Sequence, residues 1–457
     1  MQSFGECAMG RQQLVDALVH RLEGQSDIEL LQAPEERARL SRDFFDYSPV
    51  LSQQLHACQA DLVVRPLGMA AVERVVRASA ELGLPLTVRG AGSGNYGQCV
   101  PLEGGVVMLT SALRAIRKLD PVTGVVTVEP GCPMRDLDQE LRRHGRELRL
   151  LPSTWRSASI GGFLAGGSGG IGSIRWGFLR DPGHLLGLEV MAMDPSAQRI
   201  WLDQRDAEPL NHAYGTNGII TALELATAPA VHWHQLSVDC QHWDQAVALL
   251  QRCVQSAITL QLATLVEAQV LAQLPPWSGP CSDAHRLLLL VAPDGVSSLR
   301  RLAEAAGARC HDLGPEDLTA GNGVRELSWN HTTLHARAKD AGWTYLQMLL
   351  PQPEWPAMES LQQRWRGTLL WHLEAVRQQG ASRLAALPLV RWQGPELLTA
   401  LMQDCRDVGA VLFNPHVLTV EDGGLGVIDA DQVAAKRRFD PNGLLNPGKL
   451  RGWIERD

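Results

Sequence analysis

The sequence predicts an α+β protein in which an α/β unit is followed by a second unit of strand and helix pairs. From residue 58 onward, short apolar strand patterns alternate with amphipathic helix patterns, and the loops between them are short. After Pro229 a second series of strand and helix pairs begins. The chain has 457 residues, which fits two or three domains better than one compact domain.

Apolar residues recur at helical spacing over residues 12–23, which predicts a helix within a helical lead-in that covers residues 1–57. The following elements are predicted from apolar, β-branched runs and from Gly and Pro boundaries. They are strands at 61–66, 84–90, 105–110, 124–131, 184–193 and 218–228, and helices at 69–82 and 133–145. We expect them to form one domain over residues 58–230.

In the second series, each predicted strand is followed by a predicted helix. Its clearest members are strands at 234–240 and 285–293 and helices at 243–258 and 296–308. They predict a second domain over residues 231–428. A short helix and a tail rich in Pro and Gly make up the last segment, residues 429–457.

Composition excludes several classes of partner. Lys and Arg number 42 against 50 Asp and Glu, and no basic block that could bind nucleic acid is present. The nine cysteines are scattered without a C-x-x-C pair, which argues against a disulfide framework or a zinc knuckle. No apolar run reaches the roughly 18 residues that a transmembrane helix needs. We therefore expect a cytoplasmic protein, and peripheral membrane association stays open.

Two glycine-rich stretches are candidates for phosphate binding: VRGAGSGNYGQCVP at 88–101 and SIGGFLAGGSGGIG at 159–172. Consecutive backbone N–H groups can bind a pyrophosphate where no side chain blocks the approach. A single such stretch is more often a tight turn, whereas two of them favour a binding site. The first stretch runs through Pro101 into another strand and no G-K-[ST] closes it, so neither a Rossmann nor a Walker motif fits.

Five motifs then occur in the order and spacing of one family. They are P-x-x-V-R-G-A-G-S-G, PGCPMRDLDQEL, LPSTWRSASIGGFLAGGSGGIGSIRWG, GTNGIITALEL and FDPNGLLNPGKL. In these motifs the chain resembles the FAD-linked oxidoreductases of the vanillyl-alcohol oxidase and p-cresol methylhydroxylase (PCMH) type. The glycolate oxidase and D-lactate dehydrogenase branch looks nearest. The resemblance covers residues 43–228 and 430–450.

The resemblance implies a PCMH-type FAD-binding domain of two α/β subdomains, an α+β, ferredoxin-like cap that holds the substrate, and a chain end that returns to the flavin. It also implies a set of FAD contacts. These are Arg89, Gly90, Ala91, Gly92, Ser93 and Gly94 at the pyrophosphate; Pro152, Ser153, Thr154, Ser159, Ile160, Gly161, Gly162 and Gly166 along the ribityl chain and ring; Ile219 and Ile220 at the adenine; and Asn446 and Lys449 near the isoalloxazine. A lysine there would stabilise the anionic reduced ring.

Two departures from the family pattern refine these expectations. Members that bind flavin covalently have histidine where this chain has Ser93, and bicovalent members add a cysteine near Ser157. We therefore predict non-covalent FAD. The metal-using branch carries HGDGNxH in its cap, and this chain has no such string, so we expect no metal site.

Oxidation of an alcohol needs a base that takes the hydroxyl proton. His416 follows an apolar strand and a proline-fixed turn, and it is the candidate we favour; the alternative is a loop histidine bonded to backbone. Glu421 and Asp422 in the same loop are candidates to orient it, or are simply the acidic pair of a turn. Tyr345 in a predicted strand and Lys449 are further catalytic candidates, although a buried strand tyrosine usually serves packing.

The segment SWNHTTLHARAK offers another candidate, His331, which stands four residues before His335. Such a pair can bind a metal on one helix face, but no third ligand is evident, so a packing pair is the stronger interpretation. Arg325 and Arg337 flank the pair and could clamp a substrate carboxylate, or could simply be solvated.

The leading hypothesis is an FAD-dependent oxidoreductase that oxidises a CH–OH group of a small polar substrate, such as a 2-hydroxy acid or a sugar-derived alcohol or lactone. Its electrons would pass to oxygen, a quinone or a carrier protein. The alternative is a non-catalytic or electron-relay FAD-binding subunit of a larger complex. A nucleotide-binding regulator without flavin is a third possibility.

Overall fold

The computed structural model describes residues 2–280 and 282–456. Within these ranges the chain forms 17 α-helices and 21 strands, which are arranged in four sheets. The mixture of helix and sheet agrees with the predicted class. No helix in the described part of the chain is both long and apolar enough to cross a bilayer.

The first sheet has four strands in the order β1-β2-β4-β3, and strands β2, β4 and β3 run parallel. The strands are β1 Ile28–Leu31, β2 Leu62–Pro66, β3 Leu86–Arg89 and β4 Val106–Leu109, and the helices are α1 Gln2–Leu22, α2 Pro34–Leu40, α3 Pro49–Leu55 and α4 Met69–Glu81. Helix α4 buries Val72, Val75 and Val76 against this sheet. Strand β1 pairs antiparallel with β2, so the lead-in predicted as helical also supplies a strand.

The second sheet is built differently. Its order is β5-β6-β10-β8-β9, with β7 also on β10, and every pairing is antiparallel. The strands are β5 Ile116–Asp120, β6 Val125–Val128, β7 Arg146–Leu148, β8 Leu185–Met191, β9 Arg199–Asp203 and β10 Ile219–Pro229, and the helices are α5 Met134–Arg143, α6 Ile160–Gly166, α7 Ser173–Trp176 and α8 Gln204–Ala207. The second subdomain is therefore antiparallel α+β, not the α/β unit that the sequence predicted. Hairpin connections such as β5 to β6 favour antiparallel pairing.

The third sheet has eight strands in the order β14-β11-β13-β12-β18-β19-β16-β21, and a fourth sheet has the order β15-β20-β17. The strands are β11 His234–Cys240, β12 Leu260–Val266, β13 His285–Val291, β14 Arg309–Pro315, β15 Trp343–Tyr345, β16 Gln347–Leu349, β17 Leu369–Leu370, β18 His372–Gln378, β19 Ala381–Ala386, β20 Leu389–Arg391 and β21 Val411–Phe413. The helices are α9 Trp243–Gln255, α10 Ala268–Leu271, α11 Val296–Ala305, α12 Asn330–Lys339, α13 Glu354–Arg364 and α14 Pro395–Asp407.

The eight-stranded sheet consists of two β-α-β-β-α-β units laid side by side. The first runs β11-α9-β12-β13-α11-β14, and the second runs β16-α13-β18-β19-α14-β21. Strands β12 and β18, the second strands of the two units, pair with each other at a central seam. Residues 316–346 link the two units and contain helix α12, which is not part of either unit.

Two apolar cores enclose the third sheet. Alternate residues of β13 face opposite sides, because Leu287 and Leu289 pack with helices α9, α11, α13 and α14 while Leu288 and Leu290 join the core of the second sheet. The last helices are α15 Val420–Gly423, α16 Ala430–Phe439 and α17 Arg451–Ile454. Between α16 and α17 the chain returns to the first sheet, where the Asn446 N–H donates to the Leu86 carbonyl at 2.9 Å.

Candidate active site

A cavity of about 420 Å³ lies where both glycine-rich stretches meet residues 44–47 and helix α12. This volume is within the usual range for a small-molecule site. Most of the residues predicted to hold FAD line it. They are Gly90, Ala91, Gly92, Ser93, Gly94, Pro152, Ser153, Thr154, Ser159, Gly161, Gly162, Gly166 and Ile220.

The two glycine-rich stretches touch each other on the cavity wall. A Cβ atom on Gly90 would lie 2.2 Å from the Ser159 Oγ and 3.5 Å from the Gly162 Cα. The Ser159 hydroxyl itself caps helix α6 by accepting the Gly162 N–H at 3.3 Å. The Thr154 hydroxyl also donates to Ser93 Oγ at 3.2 Å. The stretches are therefore in contact along the wall, and a side chain at residue 90 would have to displace the Ser159 hydroxyl.

The first stretch presents free backbone donors to this cavity. Within the described chain, the N–H groups of Ala91, Gly92, Ser93 and Gly94 donate to no other residue. Ala91 is exposed and the other three residues are half-buried, and consecutive backbone N–H groups without a protein partner on a cavity wall can bind an anionic ligand. A bound pyrophosphate would satisfy them, and the donor set fits the predicted FAD.

Arg89 supports this loop from behind. Its Nη1 donates to the Arg42 carbonyl at 2.6 Å and to Cys99 Sγ at 3.0 Å. A Cβ on Gly92, whose φ is 68°, would collide with the same guanidinium. The Arg89 side chain does not line the cavity and holds the loop from outside, while the wrapping of a pyrophosphate by residues 89–94 stays a prediction.

Lys449 and Asn446 also hold the loop without lining the cavity. The Lys449 Nζ donates to the carbonyls of Gly97 at 2.6 Å, Gln98 at 2.9 Å and Val100 at 2.5 Å. The Asn446 amide donates to Gln98 and to the Tyr214 carbonyl. Burial lowers the pKa of Lys449, although the neighbouring Cys99 and Asp43 oppose this effect. All three N–H groups of Lys449 are used on carbonyls, and its predicted place near the isoalloxazine stays a prediction.

The remaining predicted cofactor residues lie in the core. Ile160 and Ile219 are buried in apolar clusters and do not reach the cavity wall, whereas Ile220, the next residue on β10, does. Alternation along a strand explains the difference between Ile219 and Ile220, since successive side chains point to opposite faces.

His416 occupies a structural position. It is 4% exposed and does not line the cavity, and its Nε2 lies 3.0 Å from the Tyr345 carbonyl. A carbonyl only accepts, so Nε2 carries the proton and Nδ1 accepts from the Ser48 hydroxyl at 2.8 Å. Both ring nitrogens are therefore occupied, and this residue matches the alternative of a backbone-bonded loop histidine.

The burial of His416 predicts a specific pH dependence of stability. Burial lowers the pKa of His416 to about 4, while an unfolded histidine titrates near 6.5. Between these values the unfolded chain binds a proton that the folded chain does not, so the free energy of unfolding falls by about 3 kcal/mol as the pH drops from about 6.5 to about 4. Urea unfolding of wild type and His416→Asn across this range checks it. Equal pH slopes for the two proteins would contradict it.

The groups expected to orient His416 have other partners. Glu421 lies in helix α15 and not in a loop, and its carboxylate accepts the backbone N–H groups of Arg451 at 2.9 Å and Gly452 at 2.8 Å. Asp422 accepts the Thr419 hydroxyl at 2.6 Å. Asp422 also pairs with Arg451 Nη1 at 3.1 Å, so both carboxylates tie α15 to α17, and neither contacts His416.

Tyr345 lies one layer behind the cavity. Its hydroxyl accepts from the Asn95 amide at 2.8 Å, and its ring packs edge-on against Tyr47 with the centroids 6.4 Å apart. Asn95 and Tyr47 line the cavity, but Tyr345 does not and is fully buried. Its contacts support a packing role and not direct catalysis.

His331 is the predicted catalytic candidate that does face the cavity. Its Nδ1 lies 3.4 Å from Glu326 Oε2, and the other carboxylate oxygen, Oε1, accepts from Arg156 Nε at 2.7 Å. Arg156 is fixed further by donation to the Leu318 carbonyl and by the Trp155 ring beneath it. His331, Glu326 and Arg156 all line the cavity and form one linked group.

The electrostatics of this group keep Glu326 ionised. Burial raises the pKa of the Glu326 carboxyl, but the interactions with His331 and Arg156 outweigh burial and lower it overall. No described residue hydrogen-bonds with His331 Nε2. The arrangement leaves one imidazole nitrogen open to a ligand while a carboxylate faces the other, which is the usual arrangement for a general base.

The other charged residues of this region are not in the cavity. Arg325 is buried and forms a two-point ion pair with Glu316, and Arg337 donates to the carbonyls of Ala341 and Trp343. Neither is placed to clamp a substrate carboxylate. His335 Nε2 lies 2.8 Å from the Glu326 carbonyl. Across residues 2–280 and 282–456, no three His, Cys, Asp or Glu side chains come together as a metal site.

Several cavity residues were not singled out from the sequence. They are Phe44, Tyr47, Tyr96, Arg156, Tyr214, Glu326, Trp329, Asn330, Leu334, Gln347 and Leu387. Only the closeness of Glu326 to the histidine pair could have signalled one of them. All four tyrosines of the chain surround the site, three of them on the wall.

Comparisons with known proteins bear on this site. Residues 60–200 match a family described as an FAD binding domain. The chain is 23% identical to an uncharacterised FAD-linked oxidoreductase of Mycobacterium tuberculosis, over 85% of this chain and 90% of that protein. It is 31% identical to the glycolate oxidase subunit GlcD of Escherichia coli over 32% of this chain and 29% of that protein. A D-lactate dehydrogenase of Archaeoglobus fulgidus is 23% identical, over 58% of this chain and 61% of its own length.

A solved structure shows the same fold along most of the chain. An alkyldihydroxyacetonephosphate synthase superposes with a TM-score of 0.72 at 15% sequence identity, covering 94% of this chain and 85% of that one. At this level of identity the match concerns the fold alone.

Proposed function

We propose that this chain, which carries an FAD binding domain and is similar to FAD-linked oxidoreductases, oxidises a CH–OH group of a small polar substrate by hydride transfer to non-covalently bound FAD. The substrate class we propose is a 2-hydroxy acid or a sugar-derived alcohol or lactone. One observation carries the proposal: the free N–H groups of the first glycine stretch and the His331, Glu326 and Arg156 group line the same cavity.

Bound FAD supplies the hydride acceptor for this chemistry. The chain's own residues supply binding and proton transfer. Ala91 to Gly94 would hold the pyrophosphate through their N–H groups, and the side-chain-free contact at Gly90 allows the close approach. His331 Nε2 would accept the substrate hydroxyl proton, and Glu326, beside Nδ1, would stabilise the imidazolium that forms.

The cavity wall that faces helix α12 combines apolar and polar side chains. Trp329, Leu334 and Leu387 provide apolar surface beside His331 and Arg156. Such a mixture excludes water from the reacting carbon while a few polar groups fix the orientation of a small substrate. This composition supports a small polar substrate.

The experiment that tests the proposal is anaerobic mixing of FAD-loaded protein with a panel of 2-hydroxy acids, polyols and lactones. We expect at least one of them to bleach the oxidised flavin band. Flavin that stays oxidised with every compound, yet is reduced by dithionite, would contradict catalysis and favour the electron-relay subunit. Protein that stays colourless after incubation with FAD would favour a regulator without flavin.

Non-covalent attachment is a separate prediction. Ser93 stands on the cavity wall and accepts from the Thr154 hydroxyl. Among the residues that the structure describes, the one cysteine on this wall is Cys99, which is held as a thiol because burial raises its pKa. We expect acid precipitation to release all of the flavin into the supernatant, as measured by its absorbance. Flavin that remains with the protein pellet after denaturation would contradict this expectation.

A further inference from the structure

Trp329 has an unusual backbone conformation at the wall of the cavity. Its φ is 50° and its ψ is −138°, a combination that a bulky side chain rarely adopts. Trp329 directly precedes helix α12, and its ring lines the cavity together with Asn330 and His331. A conformation of this kind persists only when surrounding contacts hold it, and such residues are concentrated at functional sites.

One buried carboxylate provides that contact. The Trp329 N–H donates to Glu374 Oε1 at 2.7 Å. Glu374 is fully buried and is held on both sides, because Thr264 donates its hydroxyl to Oε2 at 2.7 Å and His372 Nε2 lies 2.8 Å from Oε1. Both oxygens of the Glu374 carboxyl are thus fixed by partners, so this acceptor is well suited to hold a strained residue.

The position of Glu374 in the fold explains how it reaches the site. Glu374 on β18 pairs in register with Thr264 on β12, at the seam between the two β-α-β-β-α-β units. The segment that links these units carries Glu326, Trp329 and His331, and Glu374 bonds its backbone at the residue where α12 begins. A residue of the seam is therefore bonded to the backbone at the start of helix α12.

We infer that Glu374 is a positioning residue which, through the Trp329 N–H, holds the first turn of α12 so that His331 and the Trp329 ring face the cavity. This inference rests on the proposed function, since it is the proposed base that Glu374 positions. It assigns no contact between Glu374 and the substrate or the flavin.

The test compares Glu374→Ala with Glu267→Ala in the FAD-loaded protein. Glu267 is a matched control, because it is also a buried carboxylate at the seam and accepts the backbone N–H of a tryptophan at 2.8 Å, but this tryptophan, Trp371, does not line the cavity whereas Trp329 does. Amide hydrogen exchange and the rate of flavin reduction by the best substrate are measured for both. Exchange needs no substrate and reports directly on the Trp329 N–H.

In Glu374→Ala we expect amide exchange over residues 328–334 to accelerate by about tenfold or more, because a hydrogen bond to a charged group is lost. Flavin reduction should slow by about 10- to 100-fold, while FAD affinity is retained. In Glu267→Ala the rate of flavin reduction should remain that of the wild type. Unchanged exchange over 328–334, an unchanged reduction rate, or equal slowing in both variants would overturn the inference.

Glu374→Gln keeps the proposal testable if the alanine variant does not fold. Its neutral acceptor oxygen should give changes in the same direction but smaller, and the absence of any change in exchange and rate would count against the inference. Failure of the proposed function would be seen differently, as wild-type flavin that no substrate reduces.

Discussion

Replacement of Gly90 by valine is expected to yield a folded protein that binds FAD about 10- to 100-fold more weakly than the wild type. A Cβ at this position would lie 2.2 Å from Ser159 Oγ and would force the two glycine-rich stretches apart. Overpacking of this kind costs about 1–3 kcal/mol, and 1.4 kcal/mol corresponds to tenfold in affinity. The clash exists with or without FAD, so it also lowers the free energy of unfolding, and FAD binds more weakly because the displaced stretches no longer form the wild-type cavity wall.

The measurement is titration of apoprotein with FAD, followed by flavin fluorescence. Gly68→Val is the matched control, since a Cβ on Gly68 meets no atom within 4 Å and the residue lies outside the cavity. This control should bind FAD like the wild type. Wild-type affinity in Gly90→Val would show that the contact between the stretches does not shape the site. Far-UV circular dichroism identifies any variant that fails for lack of folding.

Replacement of His331 by asparagine is expected to slow flavin reduction by about 10²- to 10⁴-fold, the usual contribution of a positioned general base. His331 lines the cavity with Nε2 free, and Glu326 lies 3.4 Å from Nδ1. Asparagine is polar but takes up no proton at neutral pH. FAD affinity should be unchanged, because the residues that would hold the cofactor lie on the glycine-rich stretches. Stopped-flow absorbance with the substrate found in the panel measures both rate and amplitude.

The same experiment with His416→Asn separates the two histidine candidates. His416 has both ring nitrogens bonded to the structure and lies outside the cavity wall. We expect this variant to lose stability while it reduces flavin at nearly the wild-type rate. A large loss of rate in folded His416→Asn, with a normal rate in His331→Asn, would return the proton-transfer role to the loop histidine.

Local patterns predicted the elements of the fold better than their pairing. The run HLLGLEVMAM predicted a strand and lies at β8, but nothing in its apolar residues indicates that its neighbours run antiparallel. Whether two strands run parallel or antiparallel depends on which strands become neighbours in the sheet, and apolar residues within one strand do not determine this. Strand β1 lies within the predicted helical lead-in, because a run of four residues is too short to be recognised without its partner β2. The two side-by-side units of the third sheet share topology without sequence repetition.

In the candidate site, too, some features could be predicted from the sequence and others could not. A glycine-rich stretch is visible in a sequence, and glycine lets the two stretches approach closely at residue 90, so the cofactor surface could be predicted. Arg156 and Glu326 could not, since these partners are separated by 170 residues and each alone is an ordinary charged side chain. Lys449 and His416 are of the residue types that the chemistry needs, but both hydrogen-bond with backbone carbonyls of distant residues, and no sequence pattern reveals those contacts.

The anchoring of the first glycine stretch by Lys449 has a consequence for biosynthesis. The ribosome makes Gly97 a full 352 residues before Lys449, which corresponds to roughly 20–70 s of translation. Before Lys449 is synthesised, the carbonyls of Gly97, Gln98 and Val100 lack the hydrogen-bond donor that holds them together. Contacts between residues so far apart in sequence form late in folding. Nascent chains arrested before this lysine should therefore remain colourless, and cofactor uptake should begin only after the tail has left the exit tunnel.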